Sequence, residues 1–229
     1  SSSERAAAYD AMNRVLAAIH GVDVAAVGLA DYGKPGNYFA RQLARWSDQY
    51  LTVAEPPTPT MRAVITWLED NIVPDDGAAT LVHGDFRLDN MLFARDAMDI
   101  AAVIDWELST LGHPLADLAY QCAVLRMPAG TGHLCGLAGV ARAPLGIPSE
   151  AEYVAAYCRR TGRTHIPDWR FYLVFGLFRI AAIVAGVGAR ARAGNASSAS
   201  ATEVGAMVGP LSEKALEIAR ADDISAHAS

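Results

Sequence analysis

Lysine is almost missing from this chain: of its 19 basic residues only Lys34 and Lys214 are lysines. Lys34 sits in a turn beside Pro35 and Gly36, and Lys214 lies near the C-terminus, so neither occupies a strand of the V-A-I-K kind. No G-x-G-x-x-G precedes residue 81, which leaves no glycine-rich phosphate loop before that point. Cysteine is also scarce. Cys122, Cys135 and Cys158 are far apart and odd in number, which points to the reduced thiols of a cytoplasmic protein and away from a disulfide framework or zinc site. Positive charge is short as well: a net charge of -6 argues against nucleic acid as a partner. The opening SSSERAAAYDAM lacks the basic-then-apolar pattern of a signal peptide, and no G-x-S-x-G marks a serine hydrolase.

Apolar residues, by contrast, are plentiful. At 52% hydrophobic, 229 residues can bury the core of one large domain or two small ones. The longest apolar run, FYLVFGLFRIAAIVAGVGA at 171–189, nearly reaches the length of a membrane span. Arg179 at its centre and three interrupting glycines favour a buried helix, with no membrane partner. Helical periodicity predicts helices over 4–20 and 37–51, a third capped by Thr60, a fourth after Pro114, and others at 149–161, 168–188 and 210–220. Turn signals fall at Gly33 and Pro35-Gly36, loops cover 128–148, and ARAGNASSASATEVG at 191–205 reads as mobile low complexity. Between 80 and 106 the pattern changes to short apolar runs, TLVHG, NMLFA and IAAVIDW, expected as small strands. The expected fold class is therefore α+β, mostly helical, with a small β insertion around residues 80–106.

The polar residues of that insertion form two pieces, H-G-D-F-R-L-D-N at 83–90 and A-V-I-D-W-E at 102–107. Asp85 precedes Asn90 by five residues, and Asp105 follows fifteen later across a strand, turn and strand. Phosphoryl transfer from a nucleotide asks for such groups: a carboxylate for the acceptor hydroxyl, then an amide oxygen and a second carboxylate for magnesium. A histidine–carboxylate metal site at His83, Asp85 and His113 is the other sharp reading, but it lacks a recognisable ligand spacing.

LVHGDFRLDNMLF and VIDWELSTLGHPLADLAY resemble the aminoglycoside phosphotransferase and choline kinase-like superfamily, a protein kinase-like fold. Together with GLADYGKPGNYFARQLARWSDQY, they look closest to the kinase-like domains associated with acyl-CoA dehydrogenases, over most of residues 4–190. The resemblance implies Asp85 as catalytic base and Asn90 and Asp105 as magnesium ligands. Arg87 stands where a charge near the γ-phosphate is usual, with a surface ion pair as the competing reading. Leu92, and with it Ile104, falls to the adenine of ATP. His83 braces the loop, Asp117 fastens it from behind, and Glu107 helps the metal site or caps the next turn. Asp89 reads as a solvated bystander. His113-Pro114 reads as a rigid turn, with a substrate role left open.

Function follows as ATP- and magnesium-dependent phosphorylation of a small-molecule hydroxyl, with hydroxyacyl-CoA-like or aminoglycoside-like acceptors. The alternative is a pseudokinase-like binding module without turnover. Residues 1–229 are expected to be the C-terminal, catalytic-loop lobe alone, with the N-terminal nucleotide-binding lobe absent. Two consequences are expected: little activity in isolation, and self-association through the exposed inter-lobe face.

Overall fold

Ser1 starts the first helix by a reciprocal cap, its hydroxyl accepting from the Glu4 amide while the Glu4 side chain returns to the Ser1 backbone. The computed structural model describes residues 1–34, 36–54, 56–129, 135–195 and 200–221. Helix α1 (Ser2–His20) buries Ala11, Met12 and Leu16 along one stripe. Helix α2 (Tyr38–Val53) does the same with Phe39, Leu43, Trp46 and Tyr50. Helix α3 (Pro59–Asp70) begins two residues earlier than expected. Thr58, not Thr60, is its cap: the Thr58 hydroxyl accepts from the Met61 amide at 3.2 Å. Pro59 then fills the first helical position, where no amide hydrogen is needed.

Four strands form two separate antiparallel pairs. β1 (Thr80–Val82) pairs with β4 (Thr110–Gly112), and β2 (Met91–Phe93) with β3 (Ile100–Val103), with a register shift between Leu92 and Phe93. Three of these strands were expected; β4 was not, because its pairing partner lies some thirty residues back along the chain.

Helix α4 (Leu115–Arg126) is buried nearly all round, and α5 (Glu150–Thr161) opens on a Ser149–Glu152 capping box. Helix α6 (Trp169–Arg192) is the apolar run read from the sequence. It is long and apolar enough to cross a membrane, yet most of it packs inside the fold against α2, α4, α7 (Ala201–Ala206) and α8 (Val208–Arg220). Arg179 is 4% exposed there, its guanidinium 5.4 Å from the Trp46 ring centre and 5.5 Å from that of Tyr120. These cation–π contacts offset part of the cost of burying the charge.

The stretch expected to be mobile holds a helix instead. α7 packs so closely on α6 that a Cβ added at Gly205 would lie 2.6 Å from the Gly188 Cα. Only a pair of residues without side chains permits that approach. Residues 196–199 of the same stretch, Pro35 of the expected turn, and 130–134 of the expected loop lie outside the described residues. Elsewhere in 128–148 the chain is mostly irregular, as expected, with a short 3₁₀ turn at Ala143–Leu145.

Candidate active site

The loop from His83 to Asn90 leaves β1 through Gly84, whose φ is +84° and whose missing side chain would meet the Leu108 carbonyl oxygen at 2.4 Å. Glycine is thus required twice, for the left-handed backbone and for the space. From α4, the fully buried Asp117 reaches back to this bend. Its Oδ2 accepts the His83 amide at 2.7 Å and its Oδ1 the Gly84 amide at 2.9 Å. The His20 ring closes the far side, with Nε2 3.4 Å from Asp117 Oδ2 and Nδ1 2.7 Å from the Tyr157 hydroxyl. Burial pushes the Asp117 carboxyl up, but the hydrogen bond and charge of His20 and the two amides outweigh it, so its pKa lies below the ordinary value.

His83 is also fully buried, and both ring nitrogens are engaged. Nδ1 accepts the Asp85 amide at 3.2 Å and Nε2 faces the Ile104 carbonyl at 3.0 Å. An accepting Nδ1 assigns the proton to Nε2, which leaves the imidazole neutral with no nitrogen free to move a proton. The second backbone link, from the Ile104 amide to the Asn90 carbonyl at 2.9 Å, ties the loop to the end of β3. Asn90 and Asp105 are thereby held side by side in the chain path.

Asp85 is gripped at both carboxylate oxygens. The Tyr120 hydroxyl donates to Oδ1 at 2.6 Å, and the Asn90 amide donates to Oδ2 at 2.9 Å and to the Asp85 carbonyl at 2.9 Å. With its nitrogen committed to Asp85, Asn90 has its side-chain oxygen left over. Asp105 has a left-handed backbone, φ +67°, and is exposed. It begins the short 3₁₀ turn Trp106–Leu108 without a side-chain capping bond. An amide oxygen and an unpaired carboxylate are hard donors that fit magnesium, which completes its shell with water and phosphate oxygens. Glu107 lies exposed inside that turn and does not cap it.

Arg87 takes the surface ion pair that competed with its phosphate role, and its partner is Asp89, solvated as expected: Asp89 Oδ2 accepts from Arg87 Nε at 2.9 Å and also from the terminal guanidinium nitrogen. Arg87 is therefore paired within its own loop. Leu88, Leu92 and Ile104 stand out beside it at 51%, 51% and 41% exposure, an apolar edge next to the polar loop. The His83–Asp85–His113 metal reading fails on geometry. His113 Nε2 faces Asp76 at 3.4 Å with its ring stacked on Tyr172, while His83 is used up by the backbone. No cluster of three His, Cys, Asp or Glu able to hold a metal occurs among the described residues.

Beside Tyr120, the residue that holds Asp85, opens a cavity of about 460 Å³ walled by Arg87, Asp89, Tyr120 and Gln121, with Met12 and Ile180 as apolar lining. The Gln121 side-chain oxygen is buried and has no hydrogen-bond partner. Tyr120 and Gln121 were missed from the sequence because they lie in a helix that reads as core. The available signal was spacing: Asp117, Tyr120 and Gln121 stand at i, i+3 and i+4, one face of α4 turned to the loop. Burial, with the Asp85 carboxylate beside it, pushes the Tyr120 hydroxyl pKa well up, so it stays a hydrogen-bond donor.

A helical body that presents an Asp-x-x-x-x-Asn loop and a following Asp from two short strand pairs has the kinase-like fold of small-molecule phosphotransferases. The chain belongs to the phosphotransferase enzyme family, whose sequence model matches residues 1–175. It is 43% identical over 217 residues to mouse acyl-CoA dehydrogenase family member 10, covering 95% of this chain and 20% of that protein. Chicken acyl-CoA dehydrogenase family member 11 is 41% identical over 224 residues, covering 95% of this chain and 28% of that one. The chain thus spans less than a third of the length of these relatives. A crystal structure of a provisionally assigned aminoglycoside phosphotransferase from Ralstonia eutropha superposes with a TM-score of 0.90 at 47% identity, covering 96% of this chain and 67% of that one. A thermostable aminoglycoside phosphotransferase, solved as a ternary complex with AMP-PNP and hygromycin B, shares the fold at 19% identity and a TM-score of 0.56, covering 96% and 66%.

Proposed function

We propose that this chain is the catalytic lobe of an ATP- and magnesium-dependent kinase that phosphorylates the hydroxyl of a small molecule. The observation that carries the reading is the double hold on Asp85. Tyr120 and Asn90 fix the carboxylate, Tyr120 itself lines a cavity, and Asn90 keeps its oxygen free for a metal. In this reading Asp85 orients the acceptor hydroxyl and takes its proton as the oxygen attacks phosphorus. Asn90 and Asp105 hold magnesium, which when bound neutralises phosphate charge. Arg87, paired with Asp89 through Nε and one terminal nitrogen, contacts phosphate through its other terminal nitrogen in this reading. Leu92 and Ile104, exposed beside the loop, are placed to meet the nucleotide base and a second lobe that closes over it.

For the acceptor, likeness to the acyl-CoA dehydrogenase family members favours hydroxyacyl-CoA-type alcohols, with aminoglycosides as the other class. A cytoplasmic location and self-association through the Leu88–Leu92–Ile104 edge belong to the same proposal. The test uses the complete polypeptide that carries this lobe, assayed with ATP, magnesium and each acceptor class. Asp85→Asn is expected to lower turnover by roughly 100-fold or more, the usual contribution of a positioned base. Turnover that survives this substitution removes Asp85 from the role, and wild-type protein that binds ATP without turnover supports a binding module instead. The isolated 229 residues are expected to bind ATP weakly.

A further inference from the structure

A second cavity, of about 610 Å³, is lined by residues of α1, α5 and the segment 140–149. That volume is within the range of small-molecule sites, roughly 300–1,000 Å³. Most of its polar lining is already satisfied. Arg160 reaches Asp10 at 2.5 Å and Asn13 Oδ1 at 2.7 Å, and Asn13 donates to the Tyr153 carbonyl at 2.8 Å. Glu152 is held by the Ser149 amide and hydroxyl, both at 2.7 Å.

Two lining groups remain. The Tyr153 hydroxyl is buried on a side chain only 2% exposed and has no hydrogen-bond partner, and Arg142 Nη1 is likewise buried and unpartnered. No acidic side chain lies within ion-pair distance of Arg142 among the described residues. Tyr9 stands edge-on to Tyr153 at 6.3 Å, and Ala6, Val140 and Ile147 add apolar wall. A buried guanidinium nitrogen and a buried phenol, both able to donate, belong to the lining of a cavity whose other polar side chains are mostly bonded to one another.

We infer that this cavity is a binding site for a small organic carboxylate, its anionic oxygens on Arg142 and Tyr153 and its apolar body against Tyr9, Val140 and Ile147. An anion satisfies both orphan donors. The apolar wall favours a carboxylate with a hydrocarbon body over inorganic phosphate. The inference does not rest on the phosphotransfer reading, although Tyr9 also lines the cavity beside Tyr120, so an occupant would touch a wall shared by both.

Calorimetry and amide chemical-shift mapping on the 229-residue chain test it, with 4-phenylbutyrate, its neutral amide and inorganic phosphate as probes. Phenylbutyrate is expected to saturate one site and shift the amides of Tyr9, Arg142 and Tyr153. The neutral amide, and the variants Arg142→Gln and Tyr153→Phe, are each expected to bind about tenfold or more weakly, the scale of a lost charge-assisted hydrogen bond. Lys214→Gln on distant α8 keeps full affinity, and circular dichroism verifies folding. Should Arg142→Gln misfold, Tyr153→Phe and the amide probe still decide. Equal affinity for acid and amide, unchanged affinity in Tyr153→Phe, no saturation at millimolar concentrations, or shifts mapping elsewhere would each overturn the inference.

Discussion

Replacing Asp117 by alanine should do more damage than its distance from substrate suggests. The side chain is fully buried and accepts two backbone amides, His83 at 2.7 Å and Gly84 at 2.9 Å. Removing the carboxylate leaves both donors buried without partners, at about 1–3 kcal/mol each. A loss near 4 kcal/mol follows, or a fall in Tm of roughly 8–16 °C for a domain of this size. Asp117→Asn can accept only one amide well and presents its own N–H groups to the other, so it should recover about half. Denaturant unfolding measures the loss, and hydrogen exchange at His83 and Gly84 locates it. The sign with pH is also fixed. A carboxyl whose folded pKa is below its unfolded value adds stability above the unfolded pKa and loses it as pH falls through the folded one. The gap between wild type and Asp117→Asn should therefore be constant at neutral pH and shrink in acid. An Asp117→Ala variant destabilised by less than about 1 kcal/mol, with both amides still protected, would refute the reasoning.

Gly84→Ala should cost more than the roughly 1–2 kcal/mol of a left-handed residue, because the new Cβ also meets the Leu108 carbonyl; thermal melts check it. Tyr120→Phe deletes only the hydroxyl on Asp85 and should destabilise by about 1 kcal/mol. In absorbance titration, the wild type minus Tyr120→Phe difference should show no tyrosinate in the range where exposed tyrosines ionise, since burial and Asp85 raise that pKa. Burial, only partly offset by Asp76, holds His113 below the ordinary 6.5, so the unfolded chain takes up its proton first. Wild type should lose stability relative to His113→Gln as pH falls below that value, measured by melts across pH 5–8.

The elements legible in the sequence were those with strong periodicity or a dense motif: α1, α2, α4, α5, α6, and the loop from His83 to Asp105. What was not legible depends on partners distant in sequence. Three residues of β4 become a strand only because β1 lies beside them. The alanine- and serine-rich stretch before α8 has no apolar stripe, and α7 forms there against α6 through the Gly188–Gly205 approach. Thr58 was a different failure, since the Pro59 that follows it was a readable first-turn signal. At the site, residue types in the loop named themselves, whereas Tyr120 and Gln121 were hidden by an apolar helix. An ion pair for Arg87 was one of its two sequence readings, but the partner was not legible, since Asp89 lies two residues on in the 3₁₀ turn Leu88–Asn90 and matches no i, i+3 or i, i+4 spacing.

Asp105 carries a tension of its own. At φ +67° it occupies a conformation that glycine takes freely and that strains most other residues. A mutational search scored on thermal stability alone would thus be drawn toward glycine at 105, and would erase the carboxylate on the way. Stabilising libraries for this fold should hold that codon fixed, because here the more robust chain and the chain that keeps the carboxylate proposed for magnesium are different molecules.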